Sequence, residues 1–339
     1  MGKNVLVLGG GGFIGGQLAK KLKEKGNHVR ICDIKAHEHF SHPEICDEFI
    51  LGDLTDPSFV ENIIPMDCDE VYQLAADMGG AEYLFSGLND ANVMSSSALI
   101  NLNVARECVR KKVKKVFYSS SACIYPEFNQ EDPQNPNCEE SSAYPAFPDS
   151  EYGWEKLFSE RMFLAFQRNY GLNIRIARFH NIYGPQGTWK GGKEKAPAAM
   201  LRKVITCENG GEIEVWGDGS QTRSFLYIED CVQAVLRLME SDFPSPVNIG
   251  SEEMVTLNQL AEYAIEISGK DIRIKNLYGK DFLERYGFPC PLGVKGRTSD
   301  NRLFEEKIGK VIHSPLKAGL QTTFQWIKNQ ELQTRELQK

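Results

Sequence analysis

The amino-acid sequence predicts an α/β protein: a doubly wound parallel sheet with helices on both faces, joined to a smaller mixed α/β C-terminal domain. Three observations lead to this fold class. Short apolar runs alternate with helical patterns through the N-terminal half of the chain. The first run opens directly into four consecutive glycines, and the regular alternation ends near Pro185. Strands that alternate with helices are typical of βαβ units.

Six strands are predicted in this half of the chain, each from a short apolar run: Asn4–Leu8, His28–Asp33, Glu48–Leu54, Glu70–Ala76, Lys115–Ser121 and Asn173–Phe179. The first helix, Phe13–Lys25, has apolar residues at helical spacing, and Gly26 lies where a C-terminal cap belongs. Further helical patterns cover residues 90–111 and 151–169. These helices connect the strands in the order that a parallel sheet requires.

Later segments predict a return to the sheet after an excursion: Glu212–Trp216, Ile228–Met239 and Pro246–Gly250. The capping-box spacing of Thr256 and Gln259 predicts a helix that ends at Gly269. The polar tail Asn329–Lys339 is expected to fray. The C-terminal part is therefore expected to interleave with the N-terminal part.

Composition limits the function classes. The chain has 339 residues, of which 25% are charged and 41% hydrophobic, as expected for an ordinary globular protein with two domains. The net charge is −7 and the sequence contains no dense stripe of Lys and Arg, which argues against general nucleic-acid binding. No apolar run approaches the roughly 18 residues of a membrane span, and the first residues lack the pattern of a signal peptide. We expect neither a nucleic-acid nor a membrane partner.

The nine cysteines are scattered and include no CxxC pair. This pattern is typical of reduced thiols, so we expect a cytoplasmic protein. His37, His39 and His42 lie close in sequence but lack the spacing of metal ligands. The sequence therefore predicts no metal site.

The glycine-rich loop has the spacing of a dinucleotide site. Gly9, Gly12 and Gly15 form a GxxGxxG pattern between the first strand and the first helix. Such a turn lets the backbone approach a pyrophosphate, and the helix directs its N-terminal N–H groups at the phosphates. Phe13 and Ile14, which begin this helix, are assigned to the same cofactor site.

The residues that follow the next two strands indicate which dinucleotide binds. Asp33 ends the second strand, where a carboxylate would accept hydrogen bonds from the adenosine ribose and repel the 2′-phosphate of NADP. Asp53 and Leu54 follow the third strand and are expected to lie near the adenine. The predicted cofactor is NAD. Residues 1–184 are predicted to form a Rossmann-like NAD-binding domain, to which the chain returns within about 220–252, and residues 185–339 a substrate-binding domain.

A catalytic pair is predicted on the helix at 151–169. Tyr152 and Lys156 are separated by four residues, so they share one helix face, and a serine-rich strand end that includes Ser121 precedes them. An ammonium near the phenol and a cationic nicotinamide ring would lower the phenol pKa. Tyr152 is therefore predicted to accept a proton during hydride transfer, with Ser121 beside it.

These features resemble the extended short-chain dehydrogenase/reductase superfamily, and six segments resemble the signature motifs of GDP-mannose 3,5-epimerases: Ala76–Gly80, Ser121–Pro126, Phe179–Pro185, Gly187–Pro197, Trp216–Phe225 and Gly296–Asn301. The similarity runs in order along almost the whole chain. The stretch Ala81–Ala91 departs from the family pattern. That difference puts the exact substrate in more doubt than the reaction type.

The resemblance implies roles for individual residues. Cys123 matches the catalytic base, Lys195 the catalytic acid, and Tyr152 with Lys156 the redox pair. Positions that match substrate contacts, in addition to Cys123 and Lys195, are Gly79, Ser121, Asn181, Glu194, Lys203, Gln221, Arg223 and Arg297. The family further implies a GDP-sugar as substrate and a homodimer formed through the helices at 90–111 and 151–169.

The residue types suit that chemistry. Oxidation at C4 of a sugar makes the C3 and C5 protons acidic, and a Cys thiolate with a Lys ammonium can move protons on opposite faces.

Three related activities stay open: a GDP-sugar 4-dehydrogenase, a 4-epimerase and a 4,6-dehydratase. A dehydratase would carry an acidic pair where Ala122 and Cys123 stand, and a 4-epimerase needs neither Cys123 nor Lys195. A catalytically silent NAD-binding regulator is a further alternative, which an intact Tyr152 and Lys156 disfavour. Spacing alone would leave Cys123 a small core residue and Lys195 a surface lysine.

Overall fold

The computed structural model describes residues 2–80, 83–84, 87–310 and 313–337. The strands are β1 (Asn4–Leu8), β2 (His28–Asp33), β3 (Glu48–Leu51), β4 (Glu70–Gln73), β5 (Lys115–Ser121), β6 (Ile174–Phe179), β7 (Ile182–Tyr183), β8 (Glu212–Trp216), β9 (Thr222–Ser224), β10 (Leu226–Tyr227), β11 (Val247–Ile249), β12 (Met254–Thr256), β13 (Arg273–Leu277) and β14 (Gly296–Arg297). The helices are α1 (Phe13–Glu24), α2 (His42–Ile45), α3 (Pro57–Ile63), α4 (Asp90–Arg110), α5 (Glu151–Tyr170), α6 (Ala196–Thr206), α7 (Ile228–Glu240), α8 (Leu257–Ser268), α9 (Gly279–Tyr286), α10 (Arg302–Lys307) and α11 (Leu316–Leu337). Three short 3₁₀ helices lie at Ala122–Ile124, Glu127–Gln130 and Glu140–Ala143.

A seven-stranded sheet in the order β11-β6-β5-β4-β1-β2-β3 forms the centre of the molecule, and all its pairings are parallel. Its central strands are almost entirely buried, as is usual for parallel strands covered on both faces. The strand order reverses between β1 and β4, and ligands of such sheets bind beyond the carboxyl ends of the strands at that point. The predicted Rossmann-like α/β fold is confirmed.

The third and fourth strands end earlier than the sequence predicts, at Leu51 and Gln73. After β3 the chain turns, with the Asp53 carboxylate accepting the Thr55 N–H at 2.9 Å. After β4 the side-chain amide of Gln73 donates to the Ala75 carbonyl at 2.8 Å. These side-chain bonds stabilise the turns in which the chain leaves the sheet, so the residues beyond each strand lie in loops.

The C-terminal part contains a three-stranded sheet, β12-β9-β14, and the parallel pair β13-β8. Helix α6 packs against α8 and α11. Helix α8 begins with the predicted capping box of Thr256 and Gln259 and ends at Gly269, which adopts a left-handed conformation. Strand β11 returns to the main sheet beside β6. Residues of β9 and β14 therefore face the carboxyl ends of the central strands.

The prediction that the C-terminal tail frays is wrong up to Leu337, because α11 continues to that residue. Leu320 and Ile327 on this helix are fully buried and anchor it against the core. None of the helices formed by the described residues is long and apolar enough to cross a membrane.

Candidate active site

The glycine loop between β1 and α1 packs so closely that side chains do not fit. A Cβ atom on Gly9 would lie 2.6 Å from the Ala75 nitrogen, and one on Gly15 would lie 2.2 Å from the Gly9 carbonyl oxygen. Gly9 also has a φ of 85°, a region that glycine adopts without strain. The first turn of α1 carries no acidic side chain. The helix N-terminus can therefore receive the negative charge of a pyrophosphate.

Asp33 lies at the carboxyl end of β2, beside this loop. Its carboxylate accepts the N–H of Gly11 at 2.9 Å and the N–H of Lys35 at 3.1 Å. Burial raises the pKa of Asp33, and the two N–H groups partly oppose that effect. The carboxylate thus has a fixed position next to the phosphate-binding turn.

The other predicted cofactor residues surround the same turn. Phe13 and Ile14 begin α1, and a Cβ atom on Gly187 would lie 3.3 Å from the Phe13 ring. Leu54 is buried after β3, whereas Asp53 is exposed. These features fit a dinucleotide with an unmodified ribose. They are a loop too narrow for side chains, a helix N-terminus without acidic side chains, and a carboxylate at the end of β2.

Helix α5 carries Tyr152 and Lys156 on one buried face. Its first turn is capped by the Ser150 hydroxyl, which accepts the Gly153 N–H at 3.3 Å. The Lys156 amine donates to the Ser119 carbonyl at 2.9 Å and lies 5.6 Å from the centre of the Tyr152 ring. The helix thereby presents both side chains to the carboxyl end of β5.

The pKa of Tyr152 differs from the expectation that the neighbouring Lys156 would lower it. Burial raises the pKa of Tyr152, the neighbouring Cys123 adds to the rise, and a hydrogen bond with Ser121 opposes it. Burial lowers the pKa of Lys156, while Glu155 and Glu160 act against that shift. The protein by itself therefore favours the neutral phenol, and the positive charge of an oxidised nicotinamide ring would favour the phenolate.

Cys123 lies in the 3₁₀ turn that follows β5. Its N–H donates to the Ser121 hydroxyl at 3.2 Å, and its side chain packs beside Tyr152. The sulfur accepts a hydrogen bond from the Arg297 guanidinium at 3.1 Å. Ser121, Cys123, Tyr152 and Arg297 are therefore brought together from three distant parts of the chain.

Lys195 comes from a distant part of the chain and contacts the loop that follows β4. It is the N-cap residue of α6, keeps exposed surface, and donates from its amine to the Gly79 carbonyl at 3.3 Å. Desolvation of the amine lowers the pKa of Lys195; Cys123 opposes this shift and Arg297 adds to it. The lysine and cysteine that the family resemblance assigns to acid and base thus interact electrostatically.

Arg223 and Asn181 lie beside this group. Arg223 pairs across β9 and β14 with Arg297, and its guanidinium donates to the Val294 carbonyl at 2.7 Å. Burial and the nearby Arg297 lower the pKa of Arg223 to about 10. Asn181 has a φ of 47° and donates from its side chain to the Ser224 carbonyl at 3.0 Å.

Three further residues predicted to contact the substrate are Glu194, Lys203 and Gln221. Glu194 forms an ion pair with Arg202 at 2.7 Å. Lys203 donates to the Glu214 carbonyl at 2.6 Å and lies 5.8 Å from the Trp216 ring centre. Gln221 is buried, and its side-chain oxygen has no hydrogen-bond partner among the described residues. The Gln221 side chain is therefore enclosed by protein, with this oxygen unpaired.

Two residues of the site were missed by the sequence reasoning. Gln130 and Asp149 both contact the Arg297 guanidinium, at 2.6 and 3.4 Å. Gln130 lies in a 3₁₀ turn and Asp149 precedes the cap of α5, and neither position has a motif of its own. No local signal in the sequence identifies them.

Comparison with known proteins places the chain in a family. Residues 5–250 match the NAD dependent epimerase/dehydratase family. The chain belongs to this family. It is thus an NAD-dependent enzyme, and the resemblance and cofactor drawn from its motifs are confirmed.

Relatives share most of the chain. It is 44% identical to the GDP-mannose 3,5-epimerase of Arabidopsis thaliana and 43% identical to GDP-mannose 3,5-epimerase 1 of Oryza sativa subsp. indica, in each case over 96% of this chain and 82% of the relative. Among solved structures, the UDP-glucose 4-epimerase of Thermotoga maritima with UDP-glucose has a TM-score of 0.82 and 25% identity, over 97% of this chain and 99% of that one.

No group of three or more His, Cys, Asp and Glu side chains in the described part of the chain is arranged to hold a metal ion.

Proposed function

We propose that the protein is a GDP-sugar 3,5-epimerase that acts on GDP-mannose or a close GDP-sugar. The observation that carries this proposal is the grouping of Cys123 with Arg297 and Lys195 beside the Tyr152–Lys156 pair. An enzyme that only oxidised and reduced a sugar carbon would need the tyrosine and lysine alone. The additional cysteine and lysine supply a second base and a second acid, which inversion next to a carbonyl requires.

The redox step uses residues of α5. Bound NAD supplies the hydride acceptor and donor for C4 of the sugar. Tyr152 takes the C4 hydroxyl proton, and the buried Lys156 amine stabilises the phenolate that accepts it. Ser121, which hydrogen-bonds Tyr152, holds the phenol oxygen toward the substrate.

Inversion uses Cys123 and Lys195, which we assign to opposite faces of the sugar ring. Once C4 is a ketone, the Cys123 thiolate removes a proton from the adjacent C5, or from C3, on one face. The Lys195 ammonium delivers a proton on the other face, and its lowered pKa makes it a stronger acid than an ordinary lysine. Return of the hydride to C4 ends the cycle with no net oxidation.

The nucleotide end of the substrate is assigned to the wall formed by β9, β14 and α6. Arg223 and Arg297 suit the pyrophosphate, because a guanidinium pairs with two phosphate oxygens. Gln221, which precedes β9, is included because it matches a substrate-contact position of the family. Gly79, Asn181, Glu194 and Lys203 complete the proposed substrate contacts.

The proposal includes a homodimer in the cytoplasm. Helices α4 and α5 pack against one another and expose large apolar side chains, among them Leu99 at 47%, Phe158 at 54% and Tyr170 at 64%. Apolar groups at this density are typical of an interface with a second copy of a chain. We further propose residues 1–184 as the NAD-binding domain and 185–339 as the substrate-binding domain, with β11 returning to the first.

The test is incubation with GDP-mannose in D₂O, followed by NMR and mass spectrometry. We expect deuterium at C5, and at C3 if both centres invert, with none at C4. Deuterium at neither C3 nor C5, with a C4 epimer or a free 4-keto product, would instead establish a 4-epimerase or a 4-dehydrogenase. A product that has lost water across C5 and C6 would establish a 4,6-dehydratase, and it would carry deuterium at C5. Absence of any turnover of GDP-sugars would contradict the whole proposal.

A further inference from the structure

The Arg297 guanidinium is fixed in three directions. The residue is 6% exposed, and its Nε donates to Gln130 Oε1 at 2.6 Å. One terminal nitrogen donates to Cys123 Sγ at 3.1 Å, and the other to Asp149 Oδ2 at 3.4 Å. A planar group with a partner on each nitrogen has a single orientation. One edge of the guanidinium is therefore held against the sulfur.

Both partners of this arginine are themselves anchored. Gln130 is fully buried, and its side-chain nitrogen donates to the carbonyls of Tyr125 and Pro126 at 3.0 and 3.1 Å. The Asp149 side chain is 6% exposed, and its second oxygen accepts the Ser150 hydroxyl at 3.3 Å. Neither acceptor can turn away from Arg297 without losing bonds to its own surroundings.

The strand that carries Arg297 is pressed against the segment that follows Gln130. A Cβ atom on Gly296 would lie 2.8 Å from the Asp132 carbonyl oxygen, and the Thr222 hydroxyl on the neighbouring strand donates to the Pro133 carbonyl. This close backbone approach sets the depth to which the arginine reaches. The guanidinium therefore stays in contact with Cys123.

We infer that Gln130 and Asp149 are positioning residues that hold Arg297 against Cys123, and that Arg297 thereby stabilises the thiolate that acts as base. This inference rests on the proposed function, in which Cys123 is that base. An N⁺–H donor bonds a thiolate more strongly than a neutral thiol. Removing the cation, or releasing it from Gln130, therefore makes the thiolate less abundant near neutral pH.

Other charged and titratable groups also face Cys123, and they belong to every element packed around it: Asp149 and Cys138 from the loops, Tyr152 and Lys156 from α5, Lys195 from the start of α6, and Arg223 from β9. Of these cations, only Arg297 has a hydrogen bond to the sulfur among the described contacts. Its removal is therefore expected to change thiol reactivity more than removal of the others.

The test measures alkylation of Cys123 by iodoacetamide in the NAD-saturated protein across a pH series, with peptide mass spectrometry to read this cysteine separately from Cys207 and Cys290, which are also partly exposed. In Arg297→Met we expect alkylation near neutral pH to slow by at least about tenfold, because a charge-assisted hydrogen bond is lost. The pH of half-maximal rate is expected to rise. A merely structural loosening would expose Cys123 and speed the reaction.

Further variants separate positioning from folding. Gln130→Met removes the acceptor without changing charge, and we expect a rate between those of the wild type and Arg297→Met. Asp149→Asn keeps an acceptor oxygen and is expected to stay within about threefold of the wild type, since orientation is retained. If Arg297→Met does not fold, Arg297→Lys applies the same test, because an ammonium lacks the planar fork.

The matched control is Arg175→Met. Arg175 lies on β6, away from this site, and is also a buried arginine, with 2% exposure. It donates to the Ser241 carbonyl at 2.9 Å. This variant should alkylate at the wild-type rate even if it lowers the melting temperature.

A wild-type alkylation rate and pH profile in folded Arg297→Met would overturn the inference and leave Arg297 a substrate-binding residue only. The same holds for Gln130 if Gln130→Met matches the wild type, and for Asp149 if Asp149→Ala, which removes the acceptor that Asp149→Asn keeps, matches the wild type. Because alkylation needs no sugar nucleotide, the result is independent of whether GDP-mannose is turned over. Failure of the proposed function and failure of this inference are therefore distinguishable.

Discussion

The glycine loop and the Cys123–Arg297 contact lie in the same protein but are assembled in different ways. The loop consists of consecutive residues between β1 and α1, and its nearest partners are strand ends of the same sheet. The cysteine and arginine are 174 positions apart and meet because β14 places Arg297 against the turn that follows β5. The geometry of the cofactor loop is thus local, whereas the proposed second acid–base function depends on how distant segments pack.

The largest expected effect is that of Tyr152→Phe. Without the phenol oxygen no proton acceptor serves C4, so both turnover and exchange of solvent deuterium into the sugar should fall by roughly 10²–10⁴-fold. NMR of the substrate in D₂O measures both. Retained exchange at C5 in this variant would show that proton abstraction does not depend on prior C4 oxidation, and that the two regions act separately.

Cys123→Ser is expected to separate C4 oxidation from epimerisation. A serine hydroxyl is a much weaker base than a thiolate, so epimer formation should be lost while C4 oxidation continues. NADH fluorescence in single-turnover mixtures reports the oxidation, and product analysis reports the inversion. Wild-type epimerisation in Cys123→Ser would make Cys123 a packing residue.

Gly11→Ala should damage the cofactor region alone. The new Cβ would lie 2.1 Å from the Lys35 carbonyl and 2.8 Å from the Asp33 carboxyl carbon, so the loop must shift and NAD affinity should drop by at least about tenfold. Calorimetric titration with NAD measures this. Gly26→Ala is the matched control, since Gly26 has a φ of 81° but nothing within 4 Å of the new atom. If both variants bind NAD alike, the close packing of the loop is unimportant.

Lys195 should control the alkaline limb of the pH–rate profile. As the proposed acid it must be protonated, and its pKa is lowered from that of a free lysine, so activity should decline as pH rises through that lowered value. Lys195→Arg keeps its proton to higher pH, and its residual activity should lose this decline. Lys195→Ala should lower kcat more than it raises KM. An unchanged alkaline limb in Lys195→Arg would remove the acid role.

The smallest effect is expected from Asp33→Ala. Loss of the carboxylate removes both a ribose acceptor and the repulsion of a 2′-phosphate, so the preference for NAD over NADP should narrow by roughly one order of magnitude. Calorimetry with both dinucleotides measures the ratio. Tighter binding of NADP than of NAD by the wild-type protein would contradict the assignment of Asp33.

The sequence alone was sufficient for the features that depend on neighbouring residues. The parallel sheet follows from apolar runs that alternate with helical patterns, the cofactor turn follows from glycines at fixed spacing, and the shared face of Tyr152 and Lys156 follows from the helical repeat. It failed where Asp53 and Gln73 bond to nearby backbone as the chain leaves the sheet, and where α11 continues through the polar segment to Leu337.

Only the tertiary structure decided what surrounds Cys123. Gln130 and Asp149 have no sequence motif, because their role is to orient an arginine more than a hundred positions away, at separations of 167 and 148. It also decided that burial raises the pKa of Tyr152, where the neighbouring lysine by itself suggested the opposite. Desolvation and long-range hydrogen bonds depend on which segments exclude water together, and the order of residues along one segment does not contain that information.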